Sequence, residues 1–419
     1  MIQIDIKTAF LAIDIDYPIY MTQPEGFVVP GKEEWVWECL KAIYGTKQAS
    51  HLFGVEVKDH VKQFKLVALT ADGCVYVRIV EDEFSILITY VDDCLYATNK
   101  PETCQQFLTH MAKKFEIRQL PPTRFLGINI QRDRANHRIF ISQEHTVKNL
   151  LEKYNMVDSK PVAVPADPHS HLSADMLPTA EGERQLDMNN VPYRAAVGAL
   201  IYVGNVTRPD ISFAVHQAAR FNSNPLPAHW SAVKRVLRYL KGTQSLGIWL
   251  GGGGEEVVLY GDADFAADAD TRKSTSGLIG FLRGGPVSWA SRRQSTVATS
   301  TTQSEFNALT EAAKDAVWLR RFNAEFSKSS SGCLKKPPAV KVFCDNQPAV
   351  KLSKNPEFHR RTKHFDIEVH YVRELQEKGE IEVCEVDTRN QLADIFTKPL
   401  KPDNFIRLRE MIGMGQFGM

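Results

Sequence analysis

The chain has 419 residues, of which 43% are hydrophobic and 24% charged, with a formal net charge of +1. That length is too great for one ordinary core and calls for two or three domains of average globular composition, which excludes a disordered or fibrous chain. The small net charge excludes a polycation, so contact with nucleic acid has to come from local basic faces.

The seven cysteines are scattered without a CxxC pair, which argues against a zinc ribbon and suits reduced thiols inside a cell. No apolar run reaches transmembrane length and no signal peptide opens the chain, so we expect no membrane partner.

In chain order, Ile2, Ile4 and Ile6 alternate with Gln3 and Asp5. This period of two predicts a strand with Asp5 projecting from one face. Lys47–Phe64 reads as a helix. In Phe84–Ala97, FSILITYVDDCLYA, strand-like residues flank the adjacent carboxylates Asp92 and Asp93, which predicts a β-hairpin with a paired acid at its tip. Two like charges are costly to bury, so such a pair holds a cation or faces water. A helix over Glu102–Phe115 follows, and the order is compatible with a split βαβ, ferredoxin-like arrangement. RIFISQ then reads as a strand and EHTVKNLLEKYNM as a helix. Lys160–Asn190, rich in Pro, Asp, Ser and Ala, reads as a long surface connection.

Residues 191–245 read as all-helical. In His229–Lys241, Val233, Val236, Leu237 and Leu240 form one stripe, and Lys234, Arg238 and Lys241 form another at i, i+4 and i+7. The basic stripe is either a solvated face or a holder of phosphates. Gly251–Gly254 reads as a hinge or linker onto which nothing packs, and hence as a domain boundary. Beyond it we expect a strand over Val257–Asp262, further strands to Trp289, a helix over Thr301–Phe322, a loop, and a strand over Val340–Asp345 followed by helices. That βββαβα order suggests an α/β domain with a mixed sheet. Four carboxylates stand out there. Asp262 follows an alternating strand, Glu305 sits in the first turn of the long helix, Asp345 ends the strand VKVFC, and Asp394 opens DIFTKPL. Glu305 shares a helix face with Leu309, Ala312 and Ala316, where a carboxylate is expensive unless paired or metal-bound. Taken singly, Glu305 could serve the helix dipole, and Asp345 and Asp394 could be a strand-end and an N-cap residue.

Many segments together carry a family resemblance: QIDIKTAFL, IYMTQPEGF, AIYGTKQAS, YVDD, FLGINI, PYRAAVGALIY, TRPDISFAV, HWSAVKRVLRYLKGT, DADFAADADTRKSTSG, STTQSEFNALTEAAKDAVWLRR, CDNQPAV, RTKHFDIEVHYVRE and QLADIFTKPL. In this order they resemble the reverse transcriptase–ribonuclease H region of Ty1/copia-type retrotransposon polyproteins, over nearly the whole chain. The resemblance implies an α+β and α/β multidomain chain. It further implies a ferredoxin-like reverse transcriptase palm at 1–135, truncated at its N-terminus. A mostly helical thumb and connection follows at 136–250, with a loop at 160–190, and then a ribonuclease H-like mixed α/β domain at 255–411.

By the same resemblance, Asp5, Asp92 and Asp93 hold two Mg²⁺ ions for polymerisation, and Asp262, Glu305, Asp345 and Asp394 hold two for hydrolysis, with Mn²⁺ an alternative. Phe10, Tyr44, Gly45, Lys47 and Gln48 line the nucleotide. Phe125, Leu126 and Gly127 form the primer grip, and Lys234, Arg238 and Lys241 meet the duplex. Periodicity by itself makes Phe10 a core residue. His364 and His370 lie in a helical stretch where a surface histidine is usually inert. The implied partners are RNA template, DNA primer, RNA–DNA hybrid and dNTPs, in a cytoplasmic virus-like particle or the nucleus. The chain departs from the family at Ala12-Ile13, where Asn-Gly is usual, and at Thr46, Ser50, His51, Phe53 and Gln303-Ser304. With four residues before Asp5, the triphosphate-clamping fingers are expected to be missing. The alternative reading is therefore a truncated relic with ribonuclease H activity alone, or a nucleic-acid binder.

Overall fold

The computed structural model describes residues 1–176, 186–254, 256–331, 337–355 and 366–418. The chain divides into two compact units. One comprises residues 1–126 with 321–335, and the other residues 127–320 with 336–419. Among the described residues, no helix is long and apolar enough to cross a membrane.

The first unit runs β1 (Ile2–Ile6), β2 (Tyr20–Thr22), β3 (Val36–Glu38), α1 (Ala49–Gln63), β4 (Val67–Ala68), β5 (Val75–Val80), β6 (Glu83–Tyr90), β7 (Asp93–Thr98), α2 (Pro101–Met111) and β8 (Ile117–Leu120). Its main sheet has the order β4-β5-β6-β7-β1-β8 and is antiparallel throughout. Alternation within β1 buries Ile4 and Ile6. They share a core with Phe53, Val57 and Val61 of α1, spaced i, i+4 and i+8, and with Phe107 and Met111 of α2. Burial of each such side chain contributes about 1.5–3 kcal/mol. This core anchors β1 between β7 and β8.

The short strand β9 (Arg124–Phe125) precedes the division, and β10 (Ile128–Asp133), β11 (Arg138–Ser142) and α3 (Glu144–Lys153) follow it. Helices α4 (Tyr193–Val206), α5 (Ser212–Ala219) and α6 (Pro227–Gly242) come next, then β12 (Gly247–Gly251). Part of the expected surface connection, residues 177–185, lies outside the described residues. The mixed sheet is built from β13 (Val257–Ala263), β14 (Thr275–Leu282), β15 (Gly285–Arg293), β16 (Val340–Cys344) and β17 (Ile381–Glu385), in the order β15-β14-β13-β16-β17. β13-β16 and β16-β17 are parallel and the other pairings antiparallel. Residues 301–320 of helix α7 (Thr301–Ser331), with α8 (Gln347–Lys354), α9 (Asp366–Glu377), α10 (Pro402–Met411) and β18 (Met414–Gly415), complete the unit, the rest of α7 belonging to the first. α7 continues past its expected end at Phe322 into the polar stretch that reads as a loop.

The expected boundaries 1–135, 136–250 and 255–411 do not match this division. Val233, Leu237 and Leu240 of α6 share one core with Ile395, Phe396, Leu408 and Met414, so the helical segment and the C-terminal segment fold as one body. The glycine run is a packed turn rather than a linker. Gly251 and Gly252 have φ of +87° and +83°, and a Cβ on Gly253 would meet Gly284 Cα at 2.6 Å. Gly253 N–H donates to Arg283 O at 3.2 Å. The glycines are there because two backbones touch.

Candidate active sites

In the first unit, the β1–β7 register sets Asp5 opposite Asp93, and Ile6 N–H donates to Asp92 O at 2.8 Å. β6 and β7 are joined by a two-residue turn, Val91-Asp92. Val91 sits at φ +53°, a left-handed conformation that a β-branched residue adopts only under strain. The turn thereby presents Asp92 and Asp93 beside Asp5. Burial, and then the charges of Asp92 and Asp5, raise the Asp93 carboxyl above its ordinary value, and a hydrogen bond from Gln3 partly offsets this.

Phe10, in a short 3-10 turn, is buried against Tyr44 and Phe53, with ring centroids at 4.5 and 5.9 Å. Tyr44 is exposed and Gly45 has φ +95°. Lys47 is exposed, and Gln48 holds the N-cap position of α1 without a side-chain capping bond. Thus Phe10 and Tyr44 meet, while Lys47 and Gln48 lead into the helix. Leu126 and Gly127, at φ +49° and +77°, form the turn between β9 and β10, with both central residues left-handed as a type I′ hairpin requires. Phe125 is buried beside this turn.

In the second unit, Lys234, Arg238 and Lys241 are all half-buried on α6, and Arg238 Nε donates to Lys160 O at 2.7 Å. The four acidic positions come together at the C-terminal end of the mixed sheet. Asp262 lies near the end of β13, Asp345 follows β16 directly, Glu305 lies one turn inside α7 rather than in its first turn, and Asp394 sits in the 3-10 turn Leu392–Phe396. β13 and β16 are parallel neighbours, so their carboxylates emerge side by side. Gly277 is the cross-strand partner of Asp262. A Cβ on it would meet Thr397 Cγ2 at 2.6 Å, Ala393 O at 2.8 Å and Phe396 Cβ at 2.8 Å. Its missing side chain is what allows the Asp394 turn to lie against the sheet.

The electrostatics are those of a buried, crowded acidic cluster. Burial, then Asp262 and Asp345, push the Glu305 carboxyl up to about 9, despite a hydrogen bond from Ala263 N–H at 3.2 Å. Burial, then Asp262, push the Asp394 carboxyl up to about 7. Lys398 Nζ lies 2.8 Å from Asp394 Oδ1 and 3.9 Å from Asp262 Oδ2. Thr397 Oγ1 donates to Asp262 Oδ2 at 2.5 Å. Asp345 Oδ1 is buried without a hydrogen-bond partner. Among the described residues, the one group of three ligand atoms all within 4.8 Å of one another is Glu305, Cys344 and Asp345. Burial raises the Cys344 thiol well above its ordinary value. Cys344 is therefore a neutral neighbour, and the hard oxygen donors around it suit a divalent cation such as Mg²⁺. The three carboxylates of the first unit do not close to that distance.

His370 is exposed and pairs with Asp366 at 3.5 Å. His364 lies outside the described residues. Thr397, Lys398 and Asp264 went unnoticed in the sequence. Lys398 had a signal, since it stands four residues after Asp394 in a helical turn.

A family model described as reverse transcriptase (RNA-dependent DNA polymerase) matches residues 1–168. The retrovirus-related Pol polyprotein from transposon TNT 1-94 of Nicotiana tabacum is 39% identical over 98% of this chain and 31% of its own length. The Pol polyprotein from transposon RE1 of Arabidopsis thaliana is 34% identical over 98% of this chain and 27% of its own. The chain thus spans roughly a third or less of these relatives. Among solved structures, the N-terminal ribonuclease H domain of a Mycobacterium tuberculosis protein aligns with 38% of this chain and 98% of its own, at 12% identity and a TM-score of 0.24. A likeness that slight adds no weight. The matches across almost the whole chain place it in the Pol polyprotein family of copia/Ty1-type retrotransposons.

Proposed function

We propose that this segment is an RNA-directed DNA polymerase joined to an RNA–DNA hybrid ribonuclease. In this reading β6-β7-β1-β8 with α1 and α2 form the palm, and Asp5, Asp92 and Asp93 serve the primer 3′-hydroxyl and the incoming dNTP. Phe10 with Tyr44 floors the nucleotide. The Phe125–Gly127 hairpin steadies the primer, and α4 to α6 act as the thumb, with Lys234, Arg238 and Lys241 meeting duplex phosphates. Asp262, Glu305, Asp345 and Asp394 form the hydrolytic centre. The observation that carries the reading is this cluster. Four strand-end and helix carboxylates converge, and burial followed by their mutual repulsion drives two of them toward protonation.

The seven carboxylates would hold Mg²⁺, two ions per site. Bound cations would supply activation of the attacking oxygen and stabilisation of the leaving one. The chain's own groups prepare for this. Thr397 fixes one Asp262 oxygen, and Ala263 N–H orients Glu305. Lys398 supplies a positive charge between Asp262 and Asp394. The closer approach of ligand atoms in the second unit, where Glu305 and Asp345 meet beside Cys344, favours, as a second reading, a chain in which hydrolysis is the stronger activity.

Primer extension on an RNA template and cleavage of a labelled hybrid, run side by side, test both sites. Asp92→Asn/Asp93→Asn should abolish extension and spare cleavage. Asp345→Asn should abolish cleavage and spare extension and the folded circular-dichroism spectrum. Cleavage by Asp345→Asn at the wild-type rate would remove the hydrolytic assignment.

A further inference from the structure

A cavity of about 410 Å³ lies in the second unit, bounded by α5, α6, part of the segment 165–176, and residues from 264–267 and 397–399. Its size falls within the roughly 300–1,000 Å³ of ligand pockets. One side is apolar, with Phe213 and Ala214 from α5, Ala228 and Ala232 from α6, and Leu172 and Pro399. Ala228 and Ala232 are one helical turn apart, and their small side chains leave the slot open.

The rim is cationic. Arg220, Arg235, Arg238 and Lys398 face two carboxylates, Asp167 and Asp264. Arg235 spends Nη1 on Asp167 at 3.2 Å, while its Nε is buried without a hydrogen-bond partner. Arg238 gives Nε to a backbone carbonyl. Arg220 is clamped by Asp268 and Gln217, and its Nε is also buried without a partner. Asp264 Oδ2 is in the same condition. A ligand with a flat ring for the apolar side and a negative charge for the guanidinium groups of Arg235 and Arg238 fits this lining, away from the Asp264 carboxylate.

The position of the cavity narrows the choice. Thr397, which donates to Asp262, and Lys398, paired with Asp394, form part of its wall. We propose that the cavity receives one nucleotide of the strand held at the hydrolytic centre. The base lies against Phe213 and the alanines of α5 and α6, and the phosphate meets Arg235 and Arg238. This rests on the hydrolytic reading of the carboxylate cluster, and it adds a nucleotide pocket that the carboxylates alone do not require.

The test uses the full chain carrying Glu305→Gln in EDTA, so that neither cleavage nor metal contributes. Binding of adenosine 5′-monophosphate is measured by calorimetry against adenosine and inorganic phosphate. The nucleotide should bind saturably at millimolar concentration or below, with adenosine and phosphate each at least about tenfold weaker, equivalent to about 1.4 kcal/mol. Ala232→Trp, which fills the slot, should abolish binding. Arg235→Ala, which leaves the apolar wall intact, should weaken it about tenfold. Absence of saturable nucleotide binding, or binding unchanged in both variants, overturns the proposal, and adenosine binding as tightly as the nucleotide overturns the role of the arginines. Hybrid cleavage by the unmodified chain is scored in parallel. Cleavage without nucleotide binding sinks the cavity alone, whereas binding without cleavage sinks the hydrolytic reading on which the proposal rests.

Discussion

Gly277→Ala puts one methyl group at the point where β14 passes under the Asp394 turn. Gly277 has no left-handed φ, so alanine suits the backbone and the whole effect is steric. The added Cβ would lie 2.6 Å from Thr397 Cγ2 and 2.8 Å from both Ala393 O and Phe396 Cβ. Thr397, Ala393 and Phe396 are at most 1% exposed, so none can swing into solvent. An ordinary contact needs about 3.5–4.0 Å, so the turn has to retreat by roughly 1 Å or the strand has to buckle. Overpacking of this kind costs about 1–3 kcal/mol of stability. The retreat carries Thr397 and Asp394 away from Asp262, and a misplacement of about 1 Å costs on the order of a hundredfold in rate. Gly280→Ala on the same strand is the control, since the nearest atoms to its added Cβ are Leu319 Cδ1 at 3.0 Å and Leu259 at 3.3 Å or more, none of them in the Asp394 turn. Hybrid cleavage and thermal unfolding, measured on both variants, decide the matter. A Gly277→Ala chain that cleaves within twofold of wild type while folded would refute the claim that this close approach positions Asp394.

Two further outcomes follow from the charges. The Glu305 carboxyl is raised from 4.5 to about 9 and the Asp394 carboxyl from 3.8 to about 7, so their contribution to stability is fully present at acid pH and is lost as pH rises through those values. In EDTA the melting temperature should fall from about pH 5 to about pH 9, Glu305→Gln should flatten the slope, and added Mg²⁺ should restore stability at the alkaline end; a pH-independent melting temperature in EDTA would contradict the crowding of these carboxylates. Separately, Arg208 is 1% exposed and bonds Asp210 through two nitrogens, at 2.9 and 2.8 Å, while Tyr239 donates to the same carboxylate. Arg208→Ala leaves that charge buried and should cost about 3–5 kcal/mol by chemical denaturation, whereas the double change Arg208→Met/Asp210→Leu should recover most of it; equal losses in both would show that packing rather than charge dominates.

Where the local pattern is strong, sequence and structure agree closely. The alternation around Asp5 predicts a strand that forms over Ile2–Ile6, and the run around Asp92 forms a hairpin with those carboxylates at its tip. The strand Val340–Cys344, which ends one residue before its expected end at Asp345, and the helix beginning at Thr301 also fall where the apolar periods put them. The misreadings concern glycine and length. Gly251–Gly254 looks the same in sequence whether it is a linker or two backbones in contact, and only the position of Gly284 distinguishes them. Helix α7 outruns its apolar period because SKSSS does not forbid helix, and weak propensity yields to continuation of a helix already formed.

The sequence by itself determined the family, and it singled out seven acidic positions as candidates together with the elements that carry them, because strand alternation, helix periodicity and ordered motifs are local properties of the chain. The tertiary structure decided that residues 127–320 and the C-terminal segment are one body rather than two. It also decided that Lys398 and Thr397 join the acidic cluster, and that a cationic cavity adjoins it. These depend on which distant side chains share a core and a charge, and burial and Coulombic coupling are set by distance in space, which spacing along the chain does not encode.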